Sequence, residues 1–259
     1  MAGDLKPYYD RAYLGGKDEH FLKYRHGRGL AEEHERALAF IRDRYSGART
    51  RALDFGCGEA DFLRAVPMFE HRTGIDFSEV ALATAAVKDS GLDLRLGTEE
   101  LLREFEGSMD LVTSFGTLEH LDNPEEVFRA LMRCVKWSDG GALVVSCPSF
   151  LNVRGVIWMT LSRLFDVPMS LSDKHFISPA LVTSWLSETD RSLTMYSVDH
   201  DVAEGEYFAI DMTKRLTNAL RDAGMDNSRV ESLIAWVSQN RQWLPSSEFS
   251  GANMVYIVE

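Results

Sequence analysis

Short apolar segments alternate with amphipathic ones through the first 150 residues of the chain. The apolar runs predict strands at 51–56, 72–76, 92–96, 109–114 and 142–146. The segments between them place apolar residues at helical intervals. Strands that alternate with helices predict an α/β fold with a parallel, doubly wound sheet and right-handed crossovers.

Helix-start signals support this pattern. A helix is predicted over about 30–45, ahead of the first strand, from near-helical spacing of its apolar residues. Ser78 is a suitable N-cap for the helix that follows the second strand. Ahead of the fifth strand, Asn123 could cap a helix with Pro124 at its first position, and Glu126 would complete a capping box.

The alternation stops after Pro148. Residues 149–190 form an apolar excursion that contains Trp and Met, and 207–243 is a mixed helical region. Further strands are predicted at 193–198 and 253–258, which brings the total to seven.

Composition limits the class of protein. A chain of 259 residues with 45% hydrophobic and 26% charged residues can form one α/β domain with a cap. The net charge of −12 argues against a nucleic-acid partner. Three cysteines without a C-x-x-C pair predict reduced thiols and a cytoplasmic protein. We expect no signal peptide, because the N-terminus has no apolar run, and no membrane span, because charges interrupt the apolar stretch 150–169.

A glycine turn follows the first predicted strand, in the stretch Leu-Asp-Phe-Gly-Cys-Gly-Glu-Ala over 53–60. Such a strand–turn–helix exposes backbone N–H groups and lets a ligand approach. Asp76 ends the second strand, where a carboxylate can accept both hydroxyls of a ribose. The two features predict a site for an adenosine-containing cofactor. A nicotinamide dinucleotide is disfavoured because Asp61 stands where its fingerprint has a third glycine.

The turn resembles the Asp-x-Gly-x-Gly-x-Gly motif of class I S-adenosylmethionine-dependent methyltransferases, with Ala60 in place of the last glycine. The sequence Asp-Leu-Val-Thr-Ser-Phe-Gly-Thr-Leu-Glu-His-Leu over 110–121 resembles the fourth-strand motif of small-molecule methyltransferases related to the ubiquinone-biosynthesis enzymes. The resemblance covers roughly 50–150. It is specific for fold and cofactor and uninformative about the substrate.

The resemblance implies a Rossmann-like sheet of seven strands, mostly parallel with an antiparallel last strand, helices on both faces and a helical cap. The implied single domain consists of an N-terminal helical lid (1–48), a cofactor-binding core (49–148), a substrate cap (149–190) and C-terminal strands and helices (191–259). The cofactor would be S-adenosylmethionine, and the product S-adenosylhomocysteine. The implied cofactor-binding residues are Asp54, Gly56, Cys57, Gly58, Asp76, Phe77, Thr98, Glu99, Ser114 and Phe115.

Several of these residues also have purely structural interpretations. Asp54 could merely fix the turn, Phe77 could belong to the core, and Cys57 is expected to be a packed small residue rather than a nucleophile. The resemblance implies that Thr98 and Glu99 border the adenine ring. The segment Gly97-Thr98-Glu99 departs from the usual pattern of the family, which weakens this prediction.

The implied reaction is methyl transfer to a small molecule, with a hydroxyl oxygen as the expected acceptor. A hydroxyl must lose a proton, so a base is needed. His120 could supply it with Glu119 orienting the ring, although His120 could instead cap the next helix. His175 in the cap is a second catalytic candidate, and its alternative is a loop histidine paired to Asp173.

An N-terminal aromatic lid over the acceptor is the next hypothesis. Tyr9, Tyr13 and Tyr24 would exclude water, and Arg28 could meet a carboxylate of the cofactor or of the substrate. For each of them an ordinary surface role stays open. No metal site is predicted, although Asp173, His175 and His120 could in principle cluster.

Alternative functions remain. N- or C-methylation of a small metabolite is one, and a non-catalytic protein that binds S-adenosylmethionine and contacts another chain is another. Trp158, Met159, Leu164 and Phe165 in the cap predict a partly apolar acceptor pocket, and the same stripe could be plain core or the face of a homodimer.

Overall fold

The computed structural model describes Asp10, Tyr13 and residues 30–45, 49–167 and 173–259. Seven strands form one sheet in the order β3-β2-β1-β4-β5-β7-β6. Neighbouring strands pair in parallel from β3 to β5, whereas β7 is antiparallel to both β5 and β6. This confirms the predicted fold class. The strands are β1 Arg49–Phe55, β2 Phe69–Asp76, β3 Asp93–Leu96, β4 Leu111–Phe115, β5 Ala142–Pro148, β6 Leu193–Val198 and β7 Asn253–Val258.

Helices lie on both faces of the sheet. The α-helices are α1 Glu32–Arg44, α2 Asp61–Ala65, α3 Glu79–Lys88, α4 Pro124–Cys134, α5 Val153–Phe165, α6 Pro179–Leu186, α7 His200–Glu204, α8 Glu206–Asp222 and α9 Val230–Asn240. Short 3₁₀ segments lie at Glu99–Phe105, Leu118–His120, Trp137–Asp139 and Arg241–Trp243.

Two hydrophobic layers sandwich the central strands. One layer joins the sheet to α1, α2 and α3 through buried residues such as Ile41, Phe62 and Leu82. The other joins it to α4 and α6 through Phe128 and Trp185, whose ring centroids lie 5.2 Å apart. Because both faces are covered, β5 is buried along nearly its whole length, as its continuous apolar sequence predicts.

The helix starts differ from prediction at one position. Ser78 accepts a hydrogen bond from the Ala81 N–H, as expected of an N-cap. Helix α4 begins at Pro124, but the Asn123 side chain makes no capping hydrogen bond. The predicted capping box is therefore wrong. Asn123 has ψ 73°, which lies outside the extended conformation that turns an N-cap side chain back onto the helix.

Helix α5 packs with the later helices α8 and α9 in a separate core, and these three helices are the helical cap of the structure. Trp158 of α5 is buried among Phe208, Met212 and Ile234 of the later helices. Leu164 and Phe165, at the end of α5, are largely exposed to solvent. The predicted apolar stripe is thus divided between the cap core and the surface, and does not line one pocket. Of the helices in the described residues, none combines the length and the apolar character that crossing a membrane requires.

Candidate active site

The glycine turn after β1 is fixed to the second strand by its backbone. Gly56 and Gly58 have φ of 74° and 53°, which side chains disfavour. The N–H groups of Gly56 and Cys57 donate to the Ile75 carbonyl at 2.8 and 3.1 Å. Ala60 also has a positive φ, 57°, at the position where the resembled family has glycine. The turn therefore keeps the glycine-type conformation at that position in spite of the methyl group.

Asp76 holds three elements together at the end of β2. Its Oδ2 accepts a hydrogen bond from the Gly58 N–H and its Oδ1 from the Ser78 N–H, each at 2.8 Å. Its carbonyl accepts from the Gly97 N–H at the end of β3. Burial raises the pKa of this carboxyl, although the backbone donors act in the opposite direction. Asp76, which is predicted to bind the ribose, therefore lies against the glycine turn. Thr98 and Glu99 follow the neighbouring strand β3, and Thr98 is half-buried whereas Glu99 is exposed.

Protein side chains lie against both glycines. Thr117 occupies the position that a Cβ of Gly56 would take, and Tyr13 Oη lies 2.8 Å from the corresponding position on Gly58. Asp10 accepts a hydrogen bond from Ser78 Oγ at 2.6 Å. The N-terminal segment thus reaches the predicted cofactor site at these two residues, while Tyr9, Tyr24 and Arg28 lie outside the described residues.

Asp54 and Cys57 form the floor of the turn. Thr113 of β4 donates a hydrogen bond to Asp54 at 2.7 Å, and burial raises the pKa of this carboxyl to about 7. The buried Cys57 sulfur lies toward Gly74, where no Cβ would fit. Burial, with the charges of Asp54 and Asp76, raises the pKa of the thiol well above its usual range. A thiolate nucleophile is therefore disfavoured here.

The end of β4 carries two more of the predicted cofactor-binding residues, Ser114 and Phe115. The Ser114 side chain is fully buried, and its hydroxyl oxygen has no hydrogen-bond partner within the described part of the chain. The Phe115 ring packs against Phe62 and His34, with centroids 4.8 and 4.6 Å apart. Phe77, after Asp76, is half-buried.

A histidine between two carboxylates follows β4. His120 Nδ1 lies 3.2 Å from Asp173 Oδ1, and His120 Nε2 lies 3.7 Å from Glu119 Oε1. The Glu119 carbonyl accepts hydrogen bonds from the N–H groups of Lys174 and His175. Asp173 therefore pairs with His120, whereas the alternative from the sequence named His175 as its partner. His175 joins this cluster through its backbone.

Sequence reasoning missed Glu33, a further carboxylate beside this cluster. It is buried on α1 and accepts a hydrogen bond from Ser146 Oγ of β5 at 3.1 Å. Burial raises the pKa of Glu119 well above its usual range, and the charges of Asp173 and Glu33 add to the rise. The helix over 30–45 was predicted from the spacing of its apolar residues alone. An acidic residue on the buried side of that helix would have pointed to Glu33.

Glu119, His120 and Asp173 are the described side chains whose spacing would also suit a cation. One possible ligand atom from each lies within 4.8 Å of the others. The sequence predicts no metal, and this stays a prediction.

The chain is similar to known methyltransferases over its first half. The profile of the methyltransferase domain family matches residues 53–145. A ubiquinone biosynthesis O-methyltransferase of Pseudomonas putida (strain W619) is 36% identical over 160 residues, which cover 56% of this chain and 66% of the relative. One from Marinobacter nauticus is 40% identical over 121 residues, covering 42% and 48%. The chain thus spans less than two thirds of the length of these two relatives.

The fold extends the likeness to the whole chain. Magnesium protoporphyrin IX methyltransferase from Synechocystis, solved with bound S-adenosylhomocysteine, has a TM-score of 0.61 at 12% identity, and each chain is fully covered. Together, these matches, the motifs and the fold support a class I S-adenosylmethionine-dependent methyltransferase with S-adenosylmethionine as its cofactor.

The residues at the carboxyl ends of the strands fit a positively charged cofactor. Asp54, Asp76, Glu33 and Glu119 are all buried there. The Ser114 hydroxyl, which finds no hydrogen-bond partner among the described residues, adds a polar group at the same edge. Buried carboxylates stabilise a nearby cation strongly where water is excluded.

Proposed function

We propose that this protein transfers the methyl group of S-adenosylmethionine to a hydroxyl oxygen of a small-molecule acceptor, with His120 as the general base. The observation that carries the proposal is the position of His120. It lies in the turn directly after β4, and Thr117 of the same turn packs against Gly56. The relatives named as O-methyltransferases support oxygen as the acceptor atom.

The cofactor residues in this proposal have distinct tasks. Asp76 binds the ribose hydroxyls beside the Gly56–Gly58 turn, and Ser114 and Phe115 lie along the methionine part. Thr98 and Phe77 border the adenine. Bound S-adenosylmethionine supplies a methyl group on a positively charged sulfur.

The residues of the chain then orient and deprotonate the acceptor. His120 takes the hydroxyl proton as the oxygen becomes nucleophilic, and the nearby Asp173 carboxylate stabilises the imidazolium. The rings of Phe115 and Phe62 keep water from that end of β4. Most of the acceleration should come from holding donor and acceptor in line.

The first test is calorimetry with S-adenosylmethionine. We expect Asp76→Ala to weaken binding by about 100-fold or more, because hydrogen bonds to a charged group contribute about 1.5–3 kcal/mol each. Asp76→Asn keeps an acceptor for the Gly58 N–H, so the turn should stay folded. Its affinity therefore shows how much of the loss in Asp76→Ala comes from the missing charge rather than from a disrupted turn. Asp222→Ala, which removes an exposed carboxylate on α8, should change nothing. Unaltered affinity in Asp76→Ala would contradict the assigned cofactor site.

The second test is turnover. The protein is incubated with labelled S-adenosylmethionine and a panel of phenols, catechols, alcohols and amines, and methylated product is identified by mass spectrometry. His120→Gln should reduce turnover of a hydroxyl acceptor by about 10²-fold or more, as loss of a general base does. Methylation confined to amines or to carbon would refute the oxygen assignment.

Binding to another protein is a second candidate function. The end of the cap exposes apolar side chains, among them Leu233, Trp236 and Trp243 at 43%, 56% and 79% of their full area. Exposed aromatic patches are typical of interaction surfaces. Cofactor binding without turnover, together with self-association or capture of a partner that Trp236→Ser abolishes, would favour this function.

A further inference from the structure

The orientation of His120 depends on a side chain outside the motif that contains it. His120 Nδ1 lies 3.2 Å from Asp173 Oδ1, at the long end of hydrogen-bonding distance. An ionised carboxylate can only accept a hydrogen bond, so one at this distance favours the tautomer with the proton on Nδ1. A neutral imidazole protonated at Nδ1 has its basic lone pair on Nε2.

Glu119 cannot provide this orientation in the observed geometry. Its Oε1 is 3.7 Å from His120 Nε2, beyond hydrogen-bonding reach. The side chain is also almost completely buried, which disfavours its charged form. Asp173 is partly exposed, with 17% of its side-chain area accessible.

We propose that Asp173 is a positioning residue that holds His120 in the tautomer protonated at Nδ1, leaving Nε2 as the nitrogen that takes the proton of the acceptor. This inference rests on the proposed function for its catalytic consequence, but the tautomer itself can be measured without cofactor or acceptor. The proton moves from the acceptor hydroxyl to Nε2, and the resulting imidazolium keeps its Nδ1–H bonded to Asp173.

The backbone of Asp173 is held independently of its carboxylate. The next two residues, Lys174 and His175, donate their N–H groups to the Glu119 carbonyl at 2.8 and 3.1 Å. The Lys174 ammonium forms an ion pair with Asp122 at 2.8 Å. Removal of the Asp173 side chain should therefore leave the segment docked on the turn after β4. This independence makes a substitution at Asp173 a specific test.

The test is nitrogen-15 NMR of the histidine side chains in the full chain at a pH above the titration of free histidine, with His120→Gln used for assignment. In the wild type we expect His120 protonated at Nδ1. Asp173→Ala should shift the tautomer toward Nε2–H, whereas Asp173→Asn, which retains an acceptor oxygen, should largely preserve Nδ1–H. Lys174→Met is the matched control, because it loosens the same segment without touching His120, and its His120 spectrum should match that of the wild type.

Turnover gives the second readout. With an accepted hydroxyl substrate, Asp173→Ala should lower kcat by about 10²-fold with little change in KM, since the loss concerns a group used in the transition state. Lys174→Met should keep kcat within a few-fold.

Three results would overturn the inference. The first is His120 protonated at Nε2 in the wild type, and the second is an unchanged tautomer in Asp173→Ala. The third is a stoichiometric Co²⁺ absorption band that Asp173→Ala abolishes, which would make the cluster a cation site. If the tautomer behaves as expected but no acceptor is methylated, the proposed function fails while the assignment of Asp173 stands.

Discussion

Replacing Asp54 by Asn should change how the stability of the protein depends on pH. Burial raises the pKa of Asp54 from 3.8 to about 7 in the folded protein, and the Thr113 hydroxyl only partly opposes the rise. Between these two values the folded state binds more protons at this site than the unfolded chain. The folded state is therefore stabilised at low pH, and this contribution is lost as the pH rises toward 7 and above.

The magnitude follows from the two pKa values. One pKa unit corresponds to about 1.4 kcal/mol, so the difference between the folded and unfolded pKa values of Asp54 changes the free energy of unfolding by about 4 kcal/mol in total. Between about pH 5 and pH 8, linkage predicts that wild-type stability falls by about 2–3 kcal/mol because of Asp54 alone. Asn has the same shape, can still accept the Thr113 hydrogen bond and does not ionise. Asp54→Asn should therefore gain about 2–3 kcal/mol relative to the wild type over this interval.

The assay is urea unfolding of the two proteins without cofactor at several pH values from 5 to 8, with the difference in unfolding free energy plotted against pH. Other titrating groups contribute to both proteins and largely cancel in this difference. Asp222→Asn, at an exposed carboxylate on α8, should give a flat difference curve. A flat curve for Asp54→Asn would refute the argument that this carboxyl is held in a protonated form by burial.

Two further substitutions test the packing of the fold. Gly56→Ala should destabilise the protein by about 2–4 kcal/mol in chemical unfolding, because it combines a left-handed φ with overlap onto Thr117. The double variant with Thr117→Gly should recover only the part of the lost stability that comes from the steric overlap. A wild-type stability for Gly56→Ala would disprove the close contact. Trp158→Ala should cost the cap about 3–5 kcal/mol in thermal melts, whereas Trp243→Ala, at a 79% exposed residue, should be nearly neutral. Equal effects of the two tryptophan substitutions would argue against a separate cap core.

The sheet was predictable because its signals are local. The strands at 193–198 and 253–258 have the predicted limits, since each is a short run of residues with strong strand preference. Ser78 was predictable as a cap for the same reason, because it bonds three residues along the chain. Asn123 shows the limit of such rules: the residue type was suitable, but its backbone is not in the extended conformation of an N-cap and its side chain makes no capping hydrogen bond.

The cluster around His120 was not predictable in the same way. Its members come from a turn after β4, from α1 and from the segment before α6, so they meet only when the sheet and cap are assembled. The hydrogen bond between Ser146 and Glu33 spans 113 positions, and no periodicity in sequence encodes such a contact. The motif was sufficient to predict roles for His120 and Glu119, whereas Asp173 lies more than 50 positions further along the chain and its contact with His120 depends on the tertiary structure.

The unusual protonation of Asp54 and the charge of the cofactor are two aspects of the same arrangement. A carboxyl with a pKa of about 7 is largely neutral below that pH, and the charge of Asp76 adds to the cost of ionising it. A cationic ligand bound above the turn would favour the ionised form, so binding should release a proton from Asp54 near neutral pH. By linkage, raising the pH through 7 should strengthen binding as it weakens the unliganded protein. The cost of burying Asp54 in the free protein is therefore offset when the positively charged donor is bound.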